Sequence, residues 1–361
     1  MNQDSKIGIL TSGGDCAGLN AAIRAAVQRA DGGYGWQVIG IHDGSRGLLE
    51  RPMRYEELKP GLFTGDILRM GGTILGTTTH GDPFAYPMPD GTTQDISRQF
   101  VSGFRELGLR GLIVIGGDGS LKILQRLAEL GGIPMIGIPK TIDNDVPLTE
   151  YAIGFTTALS TAVEALDRLL PTAESHERVM ILEVMGRDAG HIALSAGIAG
   201  GADVILIPEI PFDIEKVAAK IKRVREHGRN HSLVVVAEAA HPLGEGARSY
   251  ITTQGYRRYG GVGQLLSEQI SDHTGSDTRV TVLGHVQRGG IPSSHDRIVA
   301  SAFGVKAVDL LAEGKTGRMV SWQHRQVVDV PLDEVNQRTR PVSLDDTLVC
   351  TARGLGISLG D

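Results

Sequence analysis

Short apolar runs recur along the chain, each closed by a Gly- or Asp-rich turn and followed by residues at helical spacing. Ile7–Leu10 predicts a buried strand running into TSGGDCAGLN, with a helix expected from Asn20 to Gln28. Val38–Ile41, Leu112–Ile115 and Met135–Ile138 predict further strands, ending at HDGSRG, GGDGS and PKTIDND. Phe155, Leu159, Ala162, Leu166 and Leu169 share one face of a helix expected over Phe155–Leu170. Strands are expected again at Val179–Val184, Val204–Ile207, Leu233–Ala237 and Arg279–Leu283. Helices are expected after Asp188 and over Ile214–Glu226, Val262–His273 and Asp296–Ala312. Gly81–Gln94 and His241–Gly261, rich in Gly, Pro and polar residues, read as surface loops.

This alternation is that of parallel strands joined by helices, and it places the polar turns at the C-terminal ends of strands, where open parallel sheets carry ligands. Composition agrees: 41% hydrophobic residues, only 4% aromatics and 49 glycines suit an α/β protein with tight turns better than a β-sandwich. A length of 361 residues allows two lobes, each a mostly parallel sheet flanked by helices. The net charge of −6, with no run of basic residues, argues against a nucleic-acid partner. Cys16 and Cys350 offer neither metal-ligand spacing nor a disulfide framework, as expected in a reducing cytoplasm. No stretch has the length of a signal segment or a membrane span.

Three turns carry candidate chemistry. In Ser12-Gly13-Gly14-Asp15 the glycines let backbone N–H groups approach a phosphate, although such turns are often only turns. It is neither a Walker loop nor GxGxxG. Gly116-Gly117-Asp118-Gly119-Ser120 adds a carboxylate, and one carboxylate with substrate phosphates is the usual way to hold Mg²⁺; the bland alternative is an Asp capping the next helix. Thr141-Ile142-Asp143-Asn144-Asp145 sets two carboxylates about a polar turn, one able to accept a hydroxyl proton. An Asx-rich turn or a Ca²⁺ loop is the alternative there. Further along, Arg178, Met185-Gly186-Arg187, Glu238, Arg279, His285 and Arg288 fall at other strand ends, where arginines suit a phosphate dianion and Glu238 and His285 suit sugar hydroxyls.

TSGGD, GGDGS, PKTIDND, GFTTALSTA, EVMGR, AGHIAL and TVLGHVQRGG stand in the order found in 6-phosphofructokinases, and the chain resembles that family from about Ile7 to Leu311. The resemblance is to the bacterial subgroup with ATP- and pyrophosphate-dependent members. It implies two α/β lobes with the active site in the cleft, and phosphoryl transfer to O1 of fructose 6-phosphate. The phosphoryl-donor lobe is expected over 1–154 plus about 287–338, and the sugar-phosphate lobe over 155–286 plus about 339–361. By this resemblance Asp143 is the base, Asp118 the Mg²⁺ ligand, and Thr141 and Arg187 steady the transferring phosphoryl group. The Gly14 backbone, with Gly117, Gly119 and Ser120, holds the donor. Ile142 joins Thr141 and Asp143 in the acceptor site with Met185, Gly186, Arg187, Glu238, His285 and Arg288. Arg178 and Arg279 resemble arginines that reach a neighbouring subunit's 6-phosphate, which implies a homo-oligomer, dimer or tetramer.

Donor choice rests on two markers that disagree. Gly119 leaves room for an α-phosphate and argues for ATP; Lys140 resembles pyrophosphate enzymes. A steric veto outweighs a charge preference, so ATP is the expected donor and pyrophosphate the alternative. Where the family carries an Arg after its GGTxLG turn, Thr79 or His80 stands here, a poorer phosphate ligand. Arg24 of the family's effector pocket is kept, but Gln28 and Leu170 replace arginines, so weak or absent regulation by ADP and phosphoenolpyruvate is expected. A non-catalytic sugar-phosphate sensor would be expected to lose Asp118 or Asp143, and both are present.

Overall fold

The computed structural model describes residues 6–79, 81–88, 90–252, 257–337 and 339–361, with Arg257 described by its backbone alone. The chain forms two compact units. The first comprises Met1–Thr141, Val146–Thr157 and Arg288–Thr339; the second comprises Ile142–Asp145, Ala158–Gln287 and Arg340–Asp361. Ile142–Asp145, expected within the first lobe, thus groups with the second unit.

An eight-stranded sheet organises the first unit. Its order is Gln326–Pro331, Arg318–Gln323, Met135–Thr141, Leu109–Gly116, Lys6–Ser12, Gln37–Ile41 and Tyr55–Glu57, with Ile153–Gly154 paired to Met135–Thr141. The central strands are parallel, in the register Ser12↔Gly116 and Gly116↔Pro139. Strand apolarity explains this: ILTS, LIVIG and MIGIP are buried on both faces, as strands covered by helices must be. Leu10, Leu112, Val114, Leu121, Leu124 and Phe100 lie in the core beneath. Both outer pairs of the sheet are antiparallel, a departure from the parallel rhythm. Arg318–Gln323 and Gln326–Pro331, unforeseen from the pattern, form a hairpin with His324 and Arg325 at positive φ.

A parallel four-stranded sheet, ordered Val204–Leu206, Ser232–Ala237, Val179–Val184, Thr278–Val282, organises the second unit. Val179, Ile181, Val234 and Val236 pack there against Phe212, Ile221 and Leu266. The helix begun at Phe155 runs to Ser175, past the expected end at Leu170, with Pro171 inside it. Pro171 forfeits one backbone bond, toward the exposed Asp167 carbonyl that water can serve, so the helix continues for a turn. The two expected loops each hold a short antiparallel pair, Tyr86–Pro87 with Thr93–Gln94 and Ser249–Ile251 with Arg257–Tyr259.

Among the described residues, no helix is long and apolar enough to cross a membrane.

In the first unit, helices Leu19–Tyr34 and Ser294–Ala312 pack through small residues. A Cβ on Gly304 would lie 2.4 Å from the Ala22 carbonyl oxygen and 2.9 Å from the Ala25 Cβ. Gly304→Val is expected to destabilise the protein by about 1–3 kcal/mol through overpacking. Gly32→Ala, in the same helix pair but with nothing within 4 Å of the added Cβ, is expected to be neutral or stabilising by up to about 1 kcal/mol. Urea unfolding midpoints of the two variants, which should move in opposite directions or differ by at least the cost of the valine, check this.

Candidate active site

In the first unit, strand Lys6–Ser12 ends in the Ser12–Asp15 turn, where Gly13 has φ 87°, a backbone region that favours glycine. Gly13 N–H donates to the Thr78 carbonyl at 2.9 Å, and Thr77 Oγ1 donates to the Gly13 carbonyl at 2.6 Å. The next two carbonyls are held by cations. Lys140 Nζ donates to Gly14 O, and Arg288 Nη1 donates to Asp15 O at 3.1 Å. A Cβ on Gly14 would lie 2.8 Å from Arg288 Nη1, so that guanidinium occupies the space a side chain would need. Cys16 follows, fully buried, its thiol donating to Ile153 O at 3.2 Å and its pKa pushed up to about 12, chiefly by burial.

Gly117, extended at φ −80° and ψ −179°, caps helix Asp118–Gly131, and Asp118 stands in its first turn. A Cβ on Gly13 would come within 2.9 Å of Ser120 Oγ, so the first turn and the Gly117–Ser120 turn are in contact. Gly119 is exposed, and an added Cβ there would meet nothing within 4 Å. Asp118 and Gly119, with Lys122, Val335, Asn336, Gln337 and Thr339, line a pocket of about 280 Å³. Lys140 and Thr141 pair with Ile153 and Gly154, and Gly154 N–H donates to the buried Asp296 at 3.0 Å. His80 lies outside the described residues.

In the second unit Ile142, Asp143, Asn144 and Asp145 are all buried, and Asn144 takes φ 53°. A left-handed Asn is tolerated but costs energy, so something must hold it. That holder is Arg340. Its Nε and Nη2 donate to Asn144 O at 3.1 and 2.7 Å, and its backbone N–H donates to Asp145 O at 2.7 Å. His191 Nε2 in turn donates to Arg340 O at 3.0 Å.

The remaining acceptor-side candidates fall into two groups. Met185, Gly186, Arg187 and Glu238 stand together past strands Val179–Val184 and Ser232–Ala237. Arg187 N–H donates to Glu238 Oε1 at 3.0 Å, and Glu238 N–H donates to Val184 O at 2.9 Å. Gly186 (φ 155°) has no room for a side chain, with Ala189 O 2.5 Å from the would-be Cβ, and Arg187 is left-handed at φ 53°. Arg178 and Arg279 form the second group, sharing the carboxylate of Asp277; the Arg178–Asp277 contact is 2.7 Å. The Arg178 hydrogen bond is the leading reason that the Asp277 carboxyl lies below its ordinary value. His285 is exposed in the 3₁₀ turn Gly284–Arg288. Arg288, expected among the sugar-phosphate residues, groups with the first unit, its guanidinium at the Gly14–Asp15 turn.

Arg340 and Gln287 were not foreseen from the sequence. Gln287, 1% exposed, accepts from Met185 N–H at 2.8 Å and so sets the entry to Gly186–Arg187. Its place between His285 and Arg288 was the available signal. Arg340 carried none, since nothing near it in the chain resembles a site.

The fold and these turns define a phosphoryl-transfer class of α/β protein, and the chain belongs to the phosphofructokinase family: residues 6–311 match the family model described as Phosphofructokinase. Among curated relatives, ATP-dependent 6-phosphofructokinase 1 of Synechocystis sp. is 58% identical over 362 residues, covering 100% of both chains. ATP-dependent 6-phosphofructokinase 1 of Nostoc sp. is 56% identical over 361 residues, again covering 100% of both. Among solved structures, phosphofructokinase from Saccharomyces cerevisiae superposes with a TM-score of 0.80 at 30% identity, covering 98% of this chain but 47% of the yeast chain, so this chain spans about half of that one. Pyrophosphate-dependent phosphofructokinase from Marinobacter aquaeolei gives 0.77 at 25% identity, covering 99% of this chain and 92% of the other.

Burial holds the His191 imidazole below its ordinary pKa, so the folded protein takes up the proton at a lower pH than the unfolded chain does. Its contribution to stability is therefore complete above the ordinary value of about 6.5 and is lost as pH falls below it. Between pH 7.5 and 5.5, the urea midpoint of the unmodified protein is expected to drop more than that of His191→Gln, which keeps a donor for Arg340 O but cannot take up the proton. Equal drops would remove His191 from the account.

Proposed function

We propose that this chain is an ATP-dependent 6-phosphofructokinase of glycolysis, transferring the γ-phosphoryl group of ATP to O1 of fructose 6-phosphate. The observation that carries this reading is the 58% identity, over the full length of both chains, to a relative named for that activity. The open space around Gly119 supports ATP over pyrophosphate, because an acidic side chain there would fill and charge the path of an α-phosphate.

Asp143 accepts the proton of the sugar O1 hydroxyl as that oxygen bonds to the γ-phosphorus and the bond to the β,γ-bridging oxygen breaks. Thr141 and Arg187 stabilise charge on the transferring group. The Ser12–Asp15 and Gly117–Ser120 turns hold the donor phosphates by backbone N–H groups. Asp118 suits Mg²⁺: it is a single carboxylate at a glycine-flanked helix start, with no side chain over Gly119, and Mg²⁺ is normally held by one or two carboxylates plus substrate phosphates. When bound, the ion supplies positive charge against those phosphates. Met185, Gly186, Arg187, Glu238 and His285 take the sugar phosphate, and Arg288 serves the Gly14–Asp15 turn that its guanidinium holds. Arg178 and Arg279 serve a neighbouring subunit in a homo-oligomer, dimer or tetramer, and the protein works in the cytoplasm. The first unit acts as the donor lobe and the second as the sugar-phosphate lobe.

A side-by-side assay with ATP and with pyrophosphate, each with Mg²⁺ and fructose 6-phosphate, is the direct test; turnover with pyrophosphate alone would reassign the donor. Asp143→Asn is expected to lower kcat by roughly 10²–10⁴ while leaving sugar binding nearly intact. Full activity of that variant would remove Asp143 as the base.

Regulation is expected to be weak. Arg24 Nε is bonded to Phe63 O at 3.2 Å, Gln28 carries no charge, and Leu170 cannot bind an anion. Fructose 6-phosphate curves should be hyperbolic and insensitive to ADP and phosphoenolpyruvate; a sigmoidal curve relieved by ADP would contradict this.

A further inference from the structure

Lys140 is the residue whose type points toward pyrophosphate, and its geometry points elsewhere. It is 4% exposed, near the end of strand Met135–Thr141. Its Nζ donates to Gly14 O, in the turn after strand Lys6–Ser12. Those two strands are not neighbours: Leu109–Gly116 lies between them. The side chain therefore reaches past the end of the intervening strand to the turn beyond the next one, which a short residue cannot do. The Lys140 backbone carbonyl lies against the intervening turn, 3.3 Å from where a Cβ on Gly117 would sit, and its ammonium lies 3.1 Å from where a Cβ on Gly13 would sit.

We infer that Lys140 is a positioning residue for ATP, tying the phosphate-binding turn to the strand that leads to Asp143, rather than a selector of pyrophosphate. The inference rests on the donor reading above. Within a trans peptide the carbonyl and the N–H point opposite ways. Fixing Gly14 O on the ammonium therefore fixes the direction of Asp15 N–H. Arg288, through Asp15 O, does the same for Cys16 N–H. Two buried or half-buried cations thus set the planes of successive peptides in the turn, and the backbone donors are aimed before a phosphate arrives. Lys140 adds positive charge behind the turn at the same time, which favours an anion on its other side.

The test compares the full-length protein with Lys140→Met and Lys140→Gly. Methionine keeps the length and apolar stem, so that packing survives while the charge is lost. Both variants are expected to raise KM for ATP about tenfold, the worth of one charge-assisted hydrogen bond. KM for fructose 6-phosphate should stay unchanged, and methylammonium should partly restore the glycine variant. Amide hydrogen exchange should quicken at Gly13–Cys16 and not along the rest of strand Lys6–Ser12. An unchanged KM for ATP, unchanged exchange at Gly13–Cys16, or loss confined to a pyrophosphate activity overturns the inference. The donor reading fails separately, by absence of ATP turnover in the unmodified protein; normal ATP turnover matched by both variants sinks the role of Lys140 alone.

Discussion

Parallel pairing of Lys6–Ser12, Leu109–Gly116 and Met135–Thr141 is the constraint on which the glycine turns of the first unit depend. Its ladder sets Ser12 beside Gly116 and Gly116 beside Pro139, so three strands release their chains at nearly one level. Both faces of these strands are buried, so a shift of one residue in any of them would exchange the side chains packed on each face and separate the turns at the same time. Core packing and the alignment of the turns are thus enforced by the same register. Glycines at the ends then let the turns touch, since Gly13 admits Ser120 Oγ and Gly14 admits the Arg288 guanidinium.

The second unit solves a different problem. Its short parallel sheet ends in Val184 and Ala237, and the residues just beyond them are bonded to each other through Arg187 and Glu238. The Ile142–Asp145 segment leaves the first unit's sheet yet is held by the C-terminal chain, through Arg340 on Asn144 and Asp145. The proposed base therefore sits on backbone whose conformation is imposed from far along the sequence rather than by its own strand.

Much of this was legible in the chain. The strand–turn–helix rhythm located the central strands, and the glycines and carboxylates of SGGD, GGDGS and TIDND marked the turns because close backbone approach demands glycine and the proposed metal and proton chemistry demands carboxylates. What local pattern could not supply was pairing across long separations. Arg340 reaches Asn144 over 196 residues, and Lys140 reaches Gly14 over 126. An arginine or lysine at such a position looks, in sequence, like any surface charge. The hairpin Arg318–Pro331 was unforeseen for a related reason: RMVSWQ and QVVDVP lack the continuous apolarity of the central strands, because they form the outermost, partly exposed pair of the sheet.

Asn144 and Arg187 share a backbone conformation that glycine would adopt at no cost. Neither position holds glycine. Relief of strain there would loosen the chain beside the groups proposed to move the proton and steady the phosphoryl group. Adaptation to heat and adaptation for turnover therefore pull these two positions in opposite directions. A lineage of this chain entering a hotter habitat has cheaper routes open to it, such as the unobstructed Gly32 inside helix Leu19–Tyr34, and would be expected to leave Asn144 and Arg187 as they are.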